Sequence, residues 1–128
     1  MGCRAAVLSV NQYPQSPIVK GIACLAYPLH KPGTSELRDQ PVLECKLPML
    51  FVSGTSDNFA VASRLEEVVK KVKRARLEWI EGGDHSHKVK GKTVEEVSDI
   101  IGALVKDWCE GVTGQMAGVK QDENENVL

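Results

Sequence analysis

One stretch of the sequence decides the fold: Pro48-Met49-Leu50-Phe51-Val52-Ser53-Gly54-Thr55-Ser56-Asp57. Its first half is apolar, and its second half is small or polar. A short apolar run closed by turn residues is typical of a strand that is buried on both faces of a parallel sheet. Two further runs have this pattern, namely 19–27, closed by Pro28, and 77–80, closed by 81–84. The last run mixes polar and apolar residues, which indicates an edge strand.

Helical patterns alternate with these strands. A short helix is predicted over 4–10, and apolar residues recur at helical spacing over 61–72 and again over 94–108. Thr93 and Glu96 have the spacing of a capping box at the start of the last helix. Gly111 and Gly114 indicate its end. The alternation predicts an α/β fold with about three parallel strands flanked by helices.

Two segments lack a periodic pattern. Residues 30–46 are predicted to be a long irregular loop, which is either a cover over a site or a plain surface connection. Residues 113–128 are rich in acidic and amide side chains and are predicted to be a disordered tail. The folded domain is therefore expected to comprise residues 1–112.

Composition limits the classes of function. The 128 residues are 42% hydrophobic and carry a net charge of −1, so they suit one folded domain and give no electrostatic reason to expect nucleic acid as a partner. No run approaches the roughly 18 apolar residues of a membrane span. The four cysteines form no C-x-x-C pair, and we expect free thiols in a soluble protein of the cytoplasm or, alternatively, of the nucleus.

Polar residues follow each predicted strand at its carboxyl end, where parallel sheets bind ligands. Asp57 follows the second strand and His85 follows the third, so neighbouring strands would place both on the same rim of the sheet. An Asp that orients a His is the acid–base half of a catalytic triad, and the order Asp before His matches that of α/β-hydrolases. The alternative is that both are solvated loop residues. No cofactor or metal is expected, because Asp84, His85 and His87 lack a further strong ligand.

Four segments carry a resemblance to a known family: 25–32, 37–39, 48–57 and 79–86. Together they resemble the dienelactone-hydrolase-like group of the α/β-hydrolase superfamily. This group includes bacterial hydrolases and the testis-expressed hydrolase-like proteins, and regulatory subunit three of the NSL complex carries a related domain. The likeness runs from Met1 to about Cys109 and corresponds to the C-terminal half of the hydrolase domain. It implies that Asp57 is the triad acid and His85 the base, with His87 as an alternative base.

The resemblance also implies a serine nucleophile, in an elbow of the form Gly-x-Ser-Met-Gly. The chain begins Met1-Gly2-Cys3-Arg4-Ala5-Ala6, so the serine of the family pattern would directly precede Met1. The expectation is that this chain lacks the nucleophile and is inactive by itself. Ser53, Ser56 and Ser86 lie near the rim, but none has the strained strand-to-helix turn that exposes a nucleophile.

Three interpretations follow from these patterns. The chain derives from a serine hydrolase of ester-like bonds, whose full-length relative would act on a small ester. Alternatively, it is a non-catalytic interaction module or regulatory scaffold that binds a protein partner at an exposed sheet edge. The third interpretation is a truncated gene model or a short isoform of a complete enzyme.

Overall fold

The computed structural model describes residues 2–13, 19–31, 34 and 36–127, and the side chains of residue 2 and of 113–127 lie outside this description. Three strands and four helices occur in this part of the chain. In chain order they are α1 (Gly2–Gln12), β1 (Ile22–Leu25), α2 (Gln40–Glu44), β2 (Met49–Gly54), α3 (Ala62–Lys70), β3 (Ala75–Ile80) and α4 (Val94–Val127).

The three strands form one parallel sheet in the order β1-β2-β3. Met49 at the start of β2 pairs with Ile22 of β1 and with Ala75 of β3. The predicted α/β class, with three parallel strands flanked by helices, is therefore confirmed. The stretch that decides the fold is the central strand, and the polar run 77–80 lies on an edge strand as predicted.

The central strand is buried along its whole length because both faces of the sheet are covered. Met49 and Phe51 pack into one apolar cluster, while Leu50 and Val52 pack into another. Successive side chains of a strand point to opposite faces, so a continuous apolar run is required at this position. The first cluster includes residues of α1, α2 and α3, and the second includes residues of α4.

Two details differ from the sequence predictions. The segment 30–46 holds the short helix α2, whose Val42 is buried in the core, so the predicted absence of regular structure there is wrong. Pro41 in the first turn suits a helix start, where its missing N–H has no helical partner to lose. Residues 32, 33 and 35 of this segment lie outside the described residues.

The last helix is also longer than predicted, because α4 continues past Gly111 and Gly114 to Val127. A glycine weakens a helix but does not end it unless the chain turns there. The disorder predicted for 113–128 stays a prediction. At its other end α4 begins as expected, since the amide of Glu96 donates a hydrogen bond to Thr93 Oγ1 over 3.1 Å. None of the helices in the described ranges is both long and apolar enough to span a membrane.

Candidate active site

The loops that follow β2 and β3 meet at the carboxyl end of the sheet, where two glycines allow a close approach. A Cβ atom on Gly54 would collide with the backbone of Gly83. The loops are then joined by hydrogen bonds: Thr55 N donates to Ile80 O over 3.1 Å, and Ser56 N donates to Gly83 O over 2.9 Å. Only a residue without a side chain fits at Gly54. This contact fixes where the two loops place their polar residues.

Asp57 and His85 are brought together by these loops. Nδ1 of His85 lies 3.0 Å from Oδ2 and 3.2 Å from Oδ1 of Asp57. The Asp57 side chain is fully buried, whereas that of His85 is 33% exposed. An ionised carboxylate only accepts hydrogen bonds, so Nδ1 of His85 carries the proton, and in the neutral ring Nε2 keeps its lone pair. Such a pair has an oriented base whose free nitrogen can take up a proton.

Two neighbours hold this pair in place. The amide of Phe59 donates a hydrogen bond to Asp57 Oδ1 over 2.7 Å, and the Phe59 ring lies against His85 with 4.6 Å between ring centroids. His30, which follows β1, accepts a hydrogen bond at Nε2 from the amide of Val61 and donates its own amide to Phe59 O. The sequence patterns did not assign these roles to Phe59 and His30. An aromatic residue two positions after the Asp was the only available signal.

The loop that carries His85 is held by its own backbone. Oδ1 of Asp84 accepts hydrogen bonds from the amides of Ser86 over 2.8 Å and Lys88 over 2.9 Å. These bonds, with the Lys88 amide as the main cause, lower the pKa of the Asp84 carboxyl below its ordinary value. The amide of His87 donates to Asp84 O. The short turn therefore presents His85 to Asp57 from a rigid frame.

His87 differs from His85 in its backbone conformation and in the surroundings of its ring. It has a φ of +61°, a left-handed conformation that is unusual for a residue other than glycine. Both of its ring nitrogens are buried and have no hydrogen-bond partner in the described part of the chain. Burial lowers the pKa of His87, an effect that nearby Asp57 partly opposes. The structure thus joins His85, and not His87, to the carboxylate.

No described residue donates a hydrogen bond to Nε2 of His85, so none occupies the place of a nucleophile. Ser53 is buried, and its hydroxyl has no hydrogen-bond partner among the described residues. The serine of the family pattern was predicted to precede Met1 directly, and Met1 lies outside the described residues. Within the described ranges, no group of three or more His, Cys, Asp or Glu residues could hold a metal ion.

Two cavities lie in different parts of the fold. One, of about 500 Å³, adjoins the loop of His85 and is bounded by Ser86, His87 and α4 residues such as Val97 and Ile101. The other, of about 790 Å³, lies near the start of β2 and is lined by Lys46, Lys71, Lys73 and Arg74 among others. The second shares no residue with the rim that holds Asp57 and His85. The first lies next to the loop of His85, although neither Asp57 nor His85 lines it.

A comparison with known families identifies the domain. The family described as "Alpha/beta hydrolase domain" matches residues 1–112. The chain belongs to this family. The match covers the sheet, the first three helices, both rim loops and α4 as far as Val112. No solved structure matches the chain.

Proposed function

We propose that this α/β-hydrolase domain contains the acid and the base of a serine-hydrolase triad, Asp57 and His85, and has no serine nucleophile of its own. The observation that carries the proposal is the hydrogen-bonded contact of 3.0 Å between His85 Nδ1 and Asp57 Oδ2. In such a pair the carboxylate fixes the imidazole tautomer and stabilises the imidazolium that forms when the base takes a proton. By itself the chain would be inactive.

The chemistry explains why the missing group matters. In acyl transfer the base removes a proton from a hydroxyl that attacks the carbonyl carbon, and backbone amides stabilise the oxyanion. Nε2 of His85 could take this proton, since no described residue bonds it, but Ser53, Ser56 and Ser86 do not approach it as hydrogen-bond partners either. An unassisted imidazole and carboxylate supply only the proton-transfer part of the reaction. The family membership supports an ester-like bond as the substrate class.

A fluorophosphonate probe tests the absence of a nucleophile. We expect no covalent labelling of the purified chain and no saturable hydrolysis of p-nitrophenyl butyrate. An active serine hydrolase of the same family, run in parallel, provides the positive control. Covalent labelling at any serine of the chain would refute the proposed inactivity, and peptide mapping would then identify the nucleophile.

Diethyl pyrocarbonate tests the proposed base independently of turnover, because it acylates a free imidazole nitrogen. His85 should be modified first, since its Nε2 has no hydrogen-bond partner among the described residues. His87 has both ring nitrogens buried, and His30 uses Nε2 as an acceptor, so both should react slowly. Peptide mapping by mass spectrometry measures the three sites together. Equal modification of His87 and His85 would contradict the assignment.

A finer classification forms part of the same proposal. We propose that the chain is related to the dienelactone-hydrolase-like group, that residues 1–112 correspond to the C-terminal part of its fold, and that a full-length relative acts on a small ester-like substrate. The cavity of about 500 Å³ beside the His85 loop suits a small molecule. An intracellular location, cytoplasmic or nuclear, with neither nucleic acid nor membrane as partner, belongs to this proposal as well.

The second candidate is a non-catalytic interaction module, and the position of β1 favours it. β1 is an edge strand, and its alternate amides from Ile22 and Ala26 donate to Pro48 O and Val52 O on the side of β2. By strand alternation the backbone groups of Ala23 and Leu25 face away from β2. The Leu25 carbonyl accepts a hydrogen bond from Sγ of Cys3, so the groups of Ala23 form the open part of this edge. Such an edge can accept an added strand from a protein partner.

Hydrogen exchange distinguishes an open edge from a paired one. If the edge is open, the amide of Ala23 should exchange faster than that of Cys24, which faces β2. A partner or a second copy that adds a strand should slow Ala23 and leave Cys24 unchanged. Light scattering after gel filtration gives the mass of the species. A monomer that retains no partner in a pull-down would argue against the module.

A further inference from the structure

The candidate acid–base pair does not use two cysteines, one in α1 and one in β1. Cys3 is in the first turn of α1, on the same face as Val7 and Val10, which pack against the sheet. Cys24 is in β1, and its side chain is fully buried in the same apolar cluster. Spacing of three and four residues along a helix keeps Cys3 and Val7 on one side, so the fold directs the thiol of Cys3 at β1.

The two cysteines are close to each other in the fold. Sγ of Cys3 lies 3.2 Å from the carbonyl oxygen of Leu25, the next residue after Cys24, and Cys3 packs against the apolar cluster that contains Cys24. Neither Cys3 nor Cys24 forms a disulfide in the structure. Cys3 is partly exposed, whereas Cys24 is fully buried.

The pKa values of the two thiols are shifted in opposite directions, which suits the two cysteines for different roles. The hydrogen bond from Cys24 lowers the pKa of Cys3 to about 6, against the opposing effect of burial. The same hydrogen bond, together with burial, raises the pKa of Cys24. Thiolates, and not thiols, react with oxidants, and an acidic, accessible cysteine beside a second cysteine is the arrangement of a redox-sensitive pair.

We propose that Cys3 and Cys24 form a reversible disulfide when the chain meets hydrogen peroxide. The Cys3 thiolate attacks one peroxide oxygen and the O–O bond breaks, which gives a sulfenic acid on Cys3 and hydroxide. The sulfur of Cys24 then attacks the Cys3 sulfur, the S–O bond breaks, and the S–S bond forms. The Cys24 proton and the departing oxygen leave as water. In total two thiols and one peroxide give one disulfide and two waters, and two electrons pass from sulfur to oxygen.

The consequence is a covalent bond between α1 and the edge strand of the sheet. The helix α1 contacts β1 and α2 in the fold, so the bond would fix its position on that edge. The Leu25 carbonyl that Cys3 contacts belongs to the side of β1 that faces away from β2. This proposal does not depend on the assignment of Asp57 and His85.

Peptide mapping of the oxidised chain tests the disulfide. The reduced full chain is treated with hydrogen peroxide, alkylated, and digested without reductant. We expect a cross-linked pair of peptides that contain Cys3 and Cys24 and have lost two hydrogens, and dithiothreitol should restore both thiols. A sulfinic acid on Cys3 with Cys24 still a thiol would overturn the proposal. A cross-link from Cys24 to Cys45, or from Cys3 to Cys109, would overturn it as well.

Single substitutions provide matched controls. Cys3→Ser should abolish the cross-link, while Cys45→Ser and Cys109→Ser should leave it unchanged; Cys45 is the informative control because it lies in the same apolar cluster as Cys24. If Cys3→Ser does not fold, the wild-type chain still decides the matter. Its rate of alkylation at Cys3 by iodoacetamide should reach half of its maximum near pH 6, and not near 9. A midpoint near 9 would overturn the proposal.

Discussion

The two loops that carry the candidate acid and base are held in opposite ways. Asp57 follows the central strand and is fully buried, and its loop is fixed by contacts with the β3 loop and with Phe59. His85 is one-third exposed, and its loop is fixed mainly by the carboxylate of Asp84, its own neighbour in sequence. The acid is therefore placed by tertiary packing and the base by local hydrogen bonds. Substitutions in the first loop should affect the whole domain, and those in the second should act locally.

The largest effect is expected at Gly54, where the loops touch. Gly54→Ala should destabilise the chain by about 3 kcal/mol or more, because the methyl group would meet the Gly83 backbone and neither strand end can retreat without breaking the sheet. Thermal unfolding followed by circular dichroism measures this. Gly102→Ala is the control, since Gly102 is exposed in α4 with nothing near its Cβ position, and it should be neutral or slightly stabilising. Equal melting temperatures for both variants would contradict the packing argument.

A smaller loss is expected for the buried carboxylate. Asp57→Ala should cost about 1–3 kcal/mol, because the Phe59 amide and the His85 Nδ1–H lose their acceptor. Urea unfolding gives the change in free energy. Asp39→Ala is the matched control, since Asp39 precedes α2 without a side-chain cap hydrogen bond, and it should change stability little. An Asp57→Ala variant as stable as Asp39→Ala would mean that the carboxylate does not hold the loops.

The second loop should respond locally. Asp84→Ala should speed hydrogen exchange at the amides of Ser86 and Lys88, which lose their acceptor, and leave the central strand unchanged. Asp99→Ala, on an exposed turn of α4, should have no effect at either amide. If Asp84→Ala instead accelerated exchange throughout β2, the distinction between the two loops would be wrong.

The smallest effect is a dependence of stability on pH, which arises in the second loop. Burial lowers the pKa of His87 below 6.5 in the folded chain, so the unfolded chain takes up the proton first and stability falls as the pH drops from about 6.5. The lowered pKa of Asp84 gives a second loss at lower pH, as the pH falls below 3.8 through the folded value. For each of the two groups, the folded chain is therefore more stable at a pH above the pKa values of that group than at a pH below them.

The variant His87→Asn isolates the first of these losses. Asparagine tolerates the left-handed backbone at this position and does not titrate. The melting temperature of the wild-type chain should fall more between pH 7 and pH 5 than that of His87→Asn. The other two histidines are present in both proteins and cancel in the comparison. An equal fall in melting temperature for the two proteins would show that His87 does not contribute to the pH dependence of stability.

Much of the fold could be predicted from sequence because the relevant interactions are periodic. The apolar run 48–52 can only be a strand covered on both faces, and the spacing of Leu65, Val68 and Val69 fits a helix that packs on one of them. The short helix α2 was missed, since five residues with one buried valine leave no period to detect. The continuation of α4 past Gly111 was missed because glycine is a frequent but not an obligatory helix end.

The site was only partly predictable. Because turn residues follow neighbouring strands, the sequence predicts that Asp57 and His85 lie on one rim of the sheet. It does not predict that the two side chains form a hydrogen bond. The stacking of Phe59 on His85 and the support from His30 depend on how three loops pack, which no local pattern encodes. The packing of Cys3 against the cluster that contains Cys24 is of the same kind, because it joins a helix and a strand that have no common periodicity.

The sequence by itself determined the class of the sheet, the central strand and the rim on which the polar residues lie, since burial of apolar side chains dictates a period that can be counted. The tertiary structure decided which histidine meets the carboxylate. His85 and His87 are two residues apart and chemically identical. The Gly54–Gly83 contact and the turn around Asp84 bring the ring of His85 to Asp57, where Phe59 packs against it. The ring nitrogens of His87 are buried without partners among the described residues.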